Sequence, residues 1–108
     1  MTTPLRLHPE AREERRRALH RMRDPGAAKR FRLAVDDIFD RIEERPEQFA
    51  EHGLLAVQNG RPLFYSVRRA VLPRSFPYVV FFYVREGIAI VLAIAHAKRR
   101  PGYWTERT

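Results

Sequence analysis

The last thirteen residues, His96-Ala97-Lys98-Arg99-Arg100-Pro101-Gly102-Tyr103-Trp104-Thr105-Glu106-Arg107-Thr108, hold the groups best suited to acting on an anionic partner. Lys98, Arg99 and Arg100 can engage phosphate or carboxylate, and Tyr103 and Trp104 offer flat faces for stacking or packing. His96, as the histidine of this segment, is its one side chain of a type suited to moving protons at physiological pH. The same residues have a plainer reading. Tyr103 and Trp104 fold back onto the core, the cations solvate its edge, and His96 ends a strand with a backbone hydrogen bond.

What positions this tail is the apolar run before it, Ile88 to Ala95. Ile88, Ile90, Leu92 and Ile94 alternate with Ala89, Val91, Ala93 and Ala95, as in a buried strand whose bulky face covers the helices. Phe64 to Leu72 and Tyr78 to Arg85 read as two further antiparallel strands, joined through Pro73–Pro77 and followed by a Glu86-Gly87 turn. Asn59-Gly60 is a tight-turn dipeptide that can pair Leu54–Val57 with the next strand.

Upstream, Leu5 to Leu7 suits a short first strand, and Pro9 suits the first turn of a helix reaching about Arg23. Ala11, Ala18, Leu19 and Met22 give that helix a narrow apolar stripe, with Glu13, Glu14 and Arg15 to Arg17 covering the rest. Asp24 can cap a second helix opened by Pro25. Phe31, Val35, Ile38 and Ile42, widened by Ala34 and Phe39, define its buried face, and Pro46 closes it. The expected architecture is α+β: a short N-terminal strand and a two-helix antiparallel hairpin, packed on a C-terminal, mainly antiparallel sheet. Its 108 residues fit a single domain, 1–108.

Lys and Arg number 21 against 13 Asp and Glu, a net charge of +8. The excess is concentrated late, with eight cations and two acids from Phe64 onward. Such a distribution attracts nucleic acid or an acidic protein through a field that salt screens. Only Lys29 and Lys98 are lysines. The arginine excess suits phosphate recognition, and coding bias in a GC-rich genome accounts for it without function.

With no cysteine, neither disulfides nor thiolate metal sites are available, and a cytoplasmic location is expected. The N-terminus lacks the apolar run of a signal peptide. Arg85-Glu86-Gly87 interrupts the apolar Tyr78–Ala95 region, which makes it a hairpin and not a membrane span of about 20 residues. His8, His20, His52 and His96 lack metal-ligand spacing, and neither a glycine-rich phosphate loop nor a nucleophile elbow is present, so no metal and no cofactor is expected.

The element order, together with His8-Pro9-Glu10-Ala11, Arg45-Pro46-Glu47-Gln48-Phe49, Val67-Arg68-Arg69-Ala70-Val71-Leu72, Phe76-Pro77-Tyr78 and the His96 tail, resembles the RelE/ParE toxin superfamily, most closely its ParE-like branch. The resemblance implies the toxin of a bacterial type II toxin-antitoxin module, neutralised by a cognate antitoxin protein. Where ParE-like relatives often carry Tyr-Tyr-Arg, this chain has Phe81-Phe82-Tyr83, and Val57–Phe64 fits the pattern poorly.

Two chemistries are implied by that superfamily. Gyrase-directed members trap DNA gyrase by contact, and Lys98, Arg99, Arg100, Tyr103 and Trp104 would then be the target-binding surface, with aromatic anchors of the kind that dominate interfaces. Ribonuclease members cleave mRNA on the ribosome, and His96, Arg69, Arg74, Lys98 and Tyr103 are then the catalytic candidates, with Arg68 and Arg99 as further phosphate partners. Arg68 and Arg69 are strand neighbours, so only one of them can join a given site. The losses in Phe81-Phe82-Tyr83 favour the gyrase reading. A nucleic-acid-binding module without toxicity explains the charge but not the family pattern. For the antitoxin, the thin stripe of the first helix nominates Leu19, Met22, Arg15 and Arg16 as contacts for an amphipathic, acidic partner segment.

Overall fold

The computed structural model describes the backbone of residues 2–59, 61–100 and 102–107, and the side chains of these residues outside 56–63. Strand β1 (Leu5–Leu7) leads into α1 (Pro9–Arg21), then α2 (Pro25–Glu44), a 3₁₀ turn at Pro46–Gln48, and four strands, β2 (Ala50–Asn59), β3 (Arg61–Val71), β4 (Tyr78–Arg85) and β5 (Ile88–His96). The sheet order is β1-β5-β4-β3-β2, antiparallel except where β1 lies parallel to β5. This is the expected α+β fold. The last part of the chain contributes four strands where three were clear in the sequence, because Ala50–Asn59 pairs with β3 along its whole length. Gly60, on which the expected Asn59-Gly60 turn depends, lies outside the described residues.

Both helices begin where their caps require. His8 Nδ1 accepts the Glu10 N–H at 3.1 Å with Pro9 following, and Asp24 accepts the Gly26 N–H at 3.0 Å with Pro25 following. A proline at the first helical position gives up an N–H that would have had no partner there. The first helix ends at Arg21, two residues short of the expected Arg23. On α2 the residues Phe31, Val35, Ile38, Phe39 and Ile42 are buried. Phe31 meets Phe76 and Tyr78 edge-on at 5.4 and 5.3 Å, which pins the helix to the strand-turn corner. At the β4–β5 hairpin Arg85 pairs with Ile88 across a two-residue loop. Both loop residues have positive φ, 51° at Glu86 and 76° at Gly87, the backbone a type I′ turn requires.

The sheet is apolar on both faces. Under the helices lie Ala70, Leu72, Tyr78, Val80, Phe82, Ala89, Val91 and Ile94, while Leu55, Val67, Phe81, Tyr83, Leu92, Ala93 and Ala95 form a second cluster on the opposite face. Here the expected alternation in β5 is corrected. Phe81 opposes Ala93 but Phe82 opposes Val91, so Leu92 has no partner and forms a β-bulge. The extra residue reverses which positions face the helices. Ala89 and Val91 face them before the bulge and Ile94 after it, whereas Ile90 and Leu92 belong to the far side.

Leu92 is fully buried and Leu33 is 59% exposed. Leu92→Ala should therefore cost about 2–5 kcal/mol in urea denaturation, with the cavity left behind adding to the lost burial. Leu33→Ala should fall within about 0.5 kcal/mol of the parent. Equal midpoints for the two variants would contradict a packed far face.

Candidate functional site

Strand β5 ends at His96, and the chain turns at once. The Lys98 N–H donates to His96 Nδ1 at 3.1 Å, the Arg99 N–H to the His96 carbonyl at 2.9 Å, and the Ala97 N–H to the Pro77 carbonyl at 2.7 Å. The bond to Nδ1 leaves the acceptor nitrogen of His96 occupied by its own backbone. Lys98, Arg99 and Arg100 are exposed. Further on, Gly102 adopts φ 77° and the Thr105 and Arg107 N–H groups close short turns onto the Gly102 and Trp104 carbonyls, both at 3.0 Å. These turns direct Trp104 back onto the far face of the sheet.

Trp104 is 3% exposed and stacks at a tilt on Phe81 at 5.1 Å, with His52 6.0 Å away. Of its two readings in the sequence, the burial fits the fold-back onto the core: its ring closes the second core cluster. Its indole Nε1 is buried and finds no hydrogen-bond partner among the described residues. A buried unpaired donor costs about 1–3 kcal/mol, which the burial of the ring has to outweigh.

Glu14 is a second correction. Grouped in the sequence with the solvated face of α1, it is only 7% exposed. One carboxylate oxygen, Oε1, accepts the Ile94 N–H at 3.1 Å and Arg107 Nη1 at 2.7 Å, while the other, Oε2, accepts the Tyr103 hydroxyl and Arg107 Nη2 at 3.3 Å. Arg107 also donates to the Leu92 carbonyl at 3.0 Å. The signal was present in the spacing, since Ala11, Glu14 and Ala18 step by three and four along one helix face and all three are buried. Arg107 carried no comparable signal.

Tyr103 is partly buried between two guanidinium groups, Arg99 at 4.1 Å and Arg107 at 4.8 Å from its ring centre. Burial raises its phenol above the ordinary value, and the Glu14 carboxylate raises it further against the opposing pull of Arg107 and Arg99. The hydroxyl is therefore a committed donor, neither a base nor a readily ionised acid. Arg107 is itself held above its usual value: burial works against its charge, and the hydrogen bonds and charge of Glu14 outweigh that.

Two concavities flank the strand end. One, of about 340 Å³ on the helix side, is lined by Arg17, Arg21, His96, Lys98 and Arg99 over Tyr78 and Ile94. The other, of about 200 Å³ on the far side, brings Arg69, His96, Arg99, Arg100, Tyr103 and Trp104 together with His52, a residue the sequence had not nominated. Arg74 is exposed in the β3–β4 turn and lines neither. Arg68 points to the opposite face from Arg69, where it donates to the Phe49 carbonyl at 2.6 Å and reaches Glu51 at 3.4 Å. It ties β3 to the segment after α2. Of the antitoxin candidates, Leu19 and Met22 pack against the helix-side core. Arg15 and Leu19 line a cleft with Arg32 and Asp36, and Arg16 is paired with Glu13. No group of three or more His, Asp or Glu among the described residues is placed to hold a metal ion, and no described helix is long and apolar enough to cross a membrane.

A family model described as ParE toxin of type II toxin-antitoxin system, parDE, matches residues 5–101. The chain belongs to this family. No curated protein and no solved structure matches it.

The Glu14–Arg107–Tyr103 cluster sets two expectations. Arg107→Ala leaves a buried carboxylate without its cation and should destabilise the fold by about 3–5 kcal/mol. The emission of the single tryptophan, Trp104, should shift to the red as the tail loosens. The raised phenol means that above about pH 10 the unfolded chain gives up a proton that the folded chain keeps, so stability should fall as pH rises past that point. Tyr103→Phe should reduce that alkaline loss in denaturation midpoints compared between about pH 8 and about pH 11. A slope identical to the parent's would show that Tyr103 is not held protonated.

Proposed function

We propose that this chain is a growth-arresting toxin that acts by ParE-like inhibition of DNA gyrase, through contact and without bond chemistry of its own. The observation that carries this reading is the state of the tail. Lys98, Arg99 and Arg100 are presented to solvent at the end of a rigid strand, while the Tyr103 hydroxyl is bound to Glu14. A surface of fixed cations suits acidic protein groups or the DNA phosphates that gyrase holds. The aromatic contribution to target binding falls to Tyr103, whose partly buried ring is braced by Arg99.

The ribosome-dependent mRNA endonuclease is the second reading. Its support is that Arg69, His96, Arg99 and Tyr103 line one cavity. His96 would transfer protons and the arginines would offset phosphate charge. Arg74 lies outside that cavity, and Lys98 lies on the helix side.

Membership of the family implies an antitoxin protein partner. We assign its contact to the α1 surface around Arg15, Arg16, Leu19 and Met22, where a cleft between α1 and α2 combines exposed charge with the edge of the core. A partner helix with an apolar stripe and acidic flanks fits there. Gyrase and the ribosome are cytoplasmic targets, so either reading places the chain in the cytoplasm.

Expression without the antitoxin should arrest bacterial growth, and replacing Lys98, Arg99 and Arg100 together by Ala should abolish the arrest while the circular dichroism spectrum and melting temperature stay close to the parent's. Normal growth with soluble, folded parent protein in the cell would defeat the toxin reading. His96→Ala separates the two mechanisms. Gyrase trapping should weaken only modestly, with gyrase-linked DNA breaks still accumulating, whereas a ribonuclease using His96 should lose about a hundredfold or more in transcript cleavage.

A further inference from the structure

The helix-side concavity holds a cluster of charge that the tail alone does not explain. Arg17 and Arg21 stand one turn apart on α1, about 6 Å along its axis. They face Lys98 and Arg99 across a space of about 340 Å³. The one carboxylate lining it is Glu14, whose oxygens are already taken by Arg107, Tyr103 and the Ile94 N–H. Among the four cations, Arg17 alone has an acidic neighbour within ion-pair reach among the described residues, Glu13 at 3.9 Å. That pair is half exposed and neutralises little.

The charge continues beyond this cleft. Arg99 and His96 line the far-side cavity as well, where Arg69 and Arg100 join them. The cations thus run from α1, across the end of β5, to the opposite face of the sheet. A single small anion would occupy one cleft only, whereas a chain of regularly spaced monoanions meets both. The floor residues Ala18, Tyr78 and Ile94 are 2, 9 and 2% exposed, so the core residues of the helix-side cleft offer a partner little surface of their own beneath the four cations. Three of the four facing cations are arginines, whose planar forks match phosphate oxygens two at a time.

We propose that α1 and the tail together form a track for a nucleic-acid phosphodiester backbone, with Arg17 and Arg21 as one wall and Lys98 and Arg99 as the other. Binding of this kind requires neither gyrase nor the ribosome. It extends the target-facing cations of the tail to a helix that no target reading had included.

The test uses the purified full-length chain, a labelled DNA duplex and a labelled single-stranded RNA, followed by fluorescence anisotropy across a salt series without gyrase present. The affinity should fall with salt as counterions are released, and Arg17→Ala/Arg21→Ala should lower the log–log slope by about 2, roughly one for each phosphate that is no longer neutralised. The control Lys29→Ala/Arg30→Ala removes the same charge from α2 and should leave the slope unchanged. Both pairs are exposed, and circular dichroism with Trp104 emission verifies that the variants are folded. Binding of either polymer with this pattern supports the track and identifies which nucleic acid it holds. Three results would overturn it: no binding of either polymer, an equal loss in the α2 control, or displacement by a poly-glutamate peptide at equal charge concentration, which would assign the surface to an acidic protein.

Discussion

Beyond the pairing of Leu7 with Val91, β1 offers β5 no further partner, because the chain turns through His8 into α1. Strand β5 nevertheless continues to His96. The Leu92 carbonyl and the Ile94 N–H are then satisfied by side chains, Arg107 donating to the first and Glu14 accepting from the second. The two side chains are paired with each other as well, at 2.7 Å. An ion pair stands in for the missing length of edge strand. Burying such a pair brings little net stability, since desolvation offsets most of the attraction, but a broken half is costly. It therefore constrains the structure to the one arrangement in which α1, the end of β5 and the C-terminal turn are held together.

The placement of the tail follows from that constraint. Once Arg107 is anchored on Glu14, Trp104 is drawn over Phe81 and Tyr103 is held between Arg99 and Arg107. Trp104 is used to close the far face of the sheet, and what is left for a partner is charge and the partly buried ring of Tyr103. Lys98, Arg99 and Arg100 lie between two anchored points, His96 at the strand end and Trp104 in the core. Cations on so short a tether lose less freedom on binding than cations on a loose arm. This suits a toxin of the ParE family acting as a preformed surface, and it sets that surface beside Arg17 and Arg21 of α1.

Much of the molecule was legible in the chain. Pro9 marked the start of α1 and Asp24 with Pro25 that of α2, and the Phe31–Ile42 stripe marked the buried face of α2. Apolar runs located β4 and β5, and the Glu86-Gly87 turn separated them. These are local signals, fixed by backbone geometry and by the periods of helix and strand, so they survive without knowledge of the partners. The family pattern rested on the same local segments together with the tail, and the family match covers them up to residue 101.

The site was less legible because its determinants are not local. A strict period of two placed Ile90 and Leu92 toward the helices, but the bulge opposite Phe81 and Phe82 reversed the register, and a bulge exists only relative to a paired strand. Glu14 looked like helix surface, although its spacing from Ala11 and Ala18 put it on the buried stripe, and its cation lies 93 residues away at Arg107. Trp104 had two readings of equal chemical sense until the fold supplied Phe81 and His52 beneath it. The sequence by itself determined the elements, their order and the concentration of positive charge at the end of the chain. Which of those groups remain available to a partner was decided by tertiary structure, because burial and ion pairing depend on groups brought together from opposite ends of the chain.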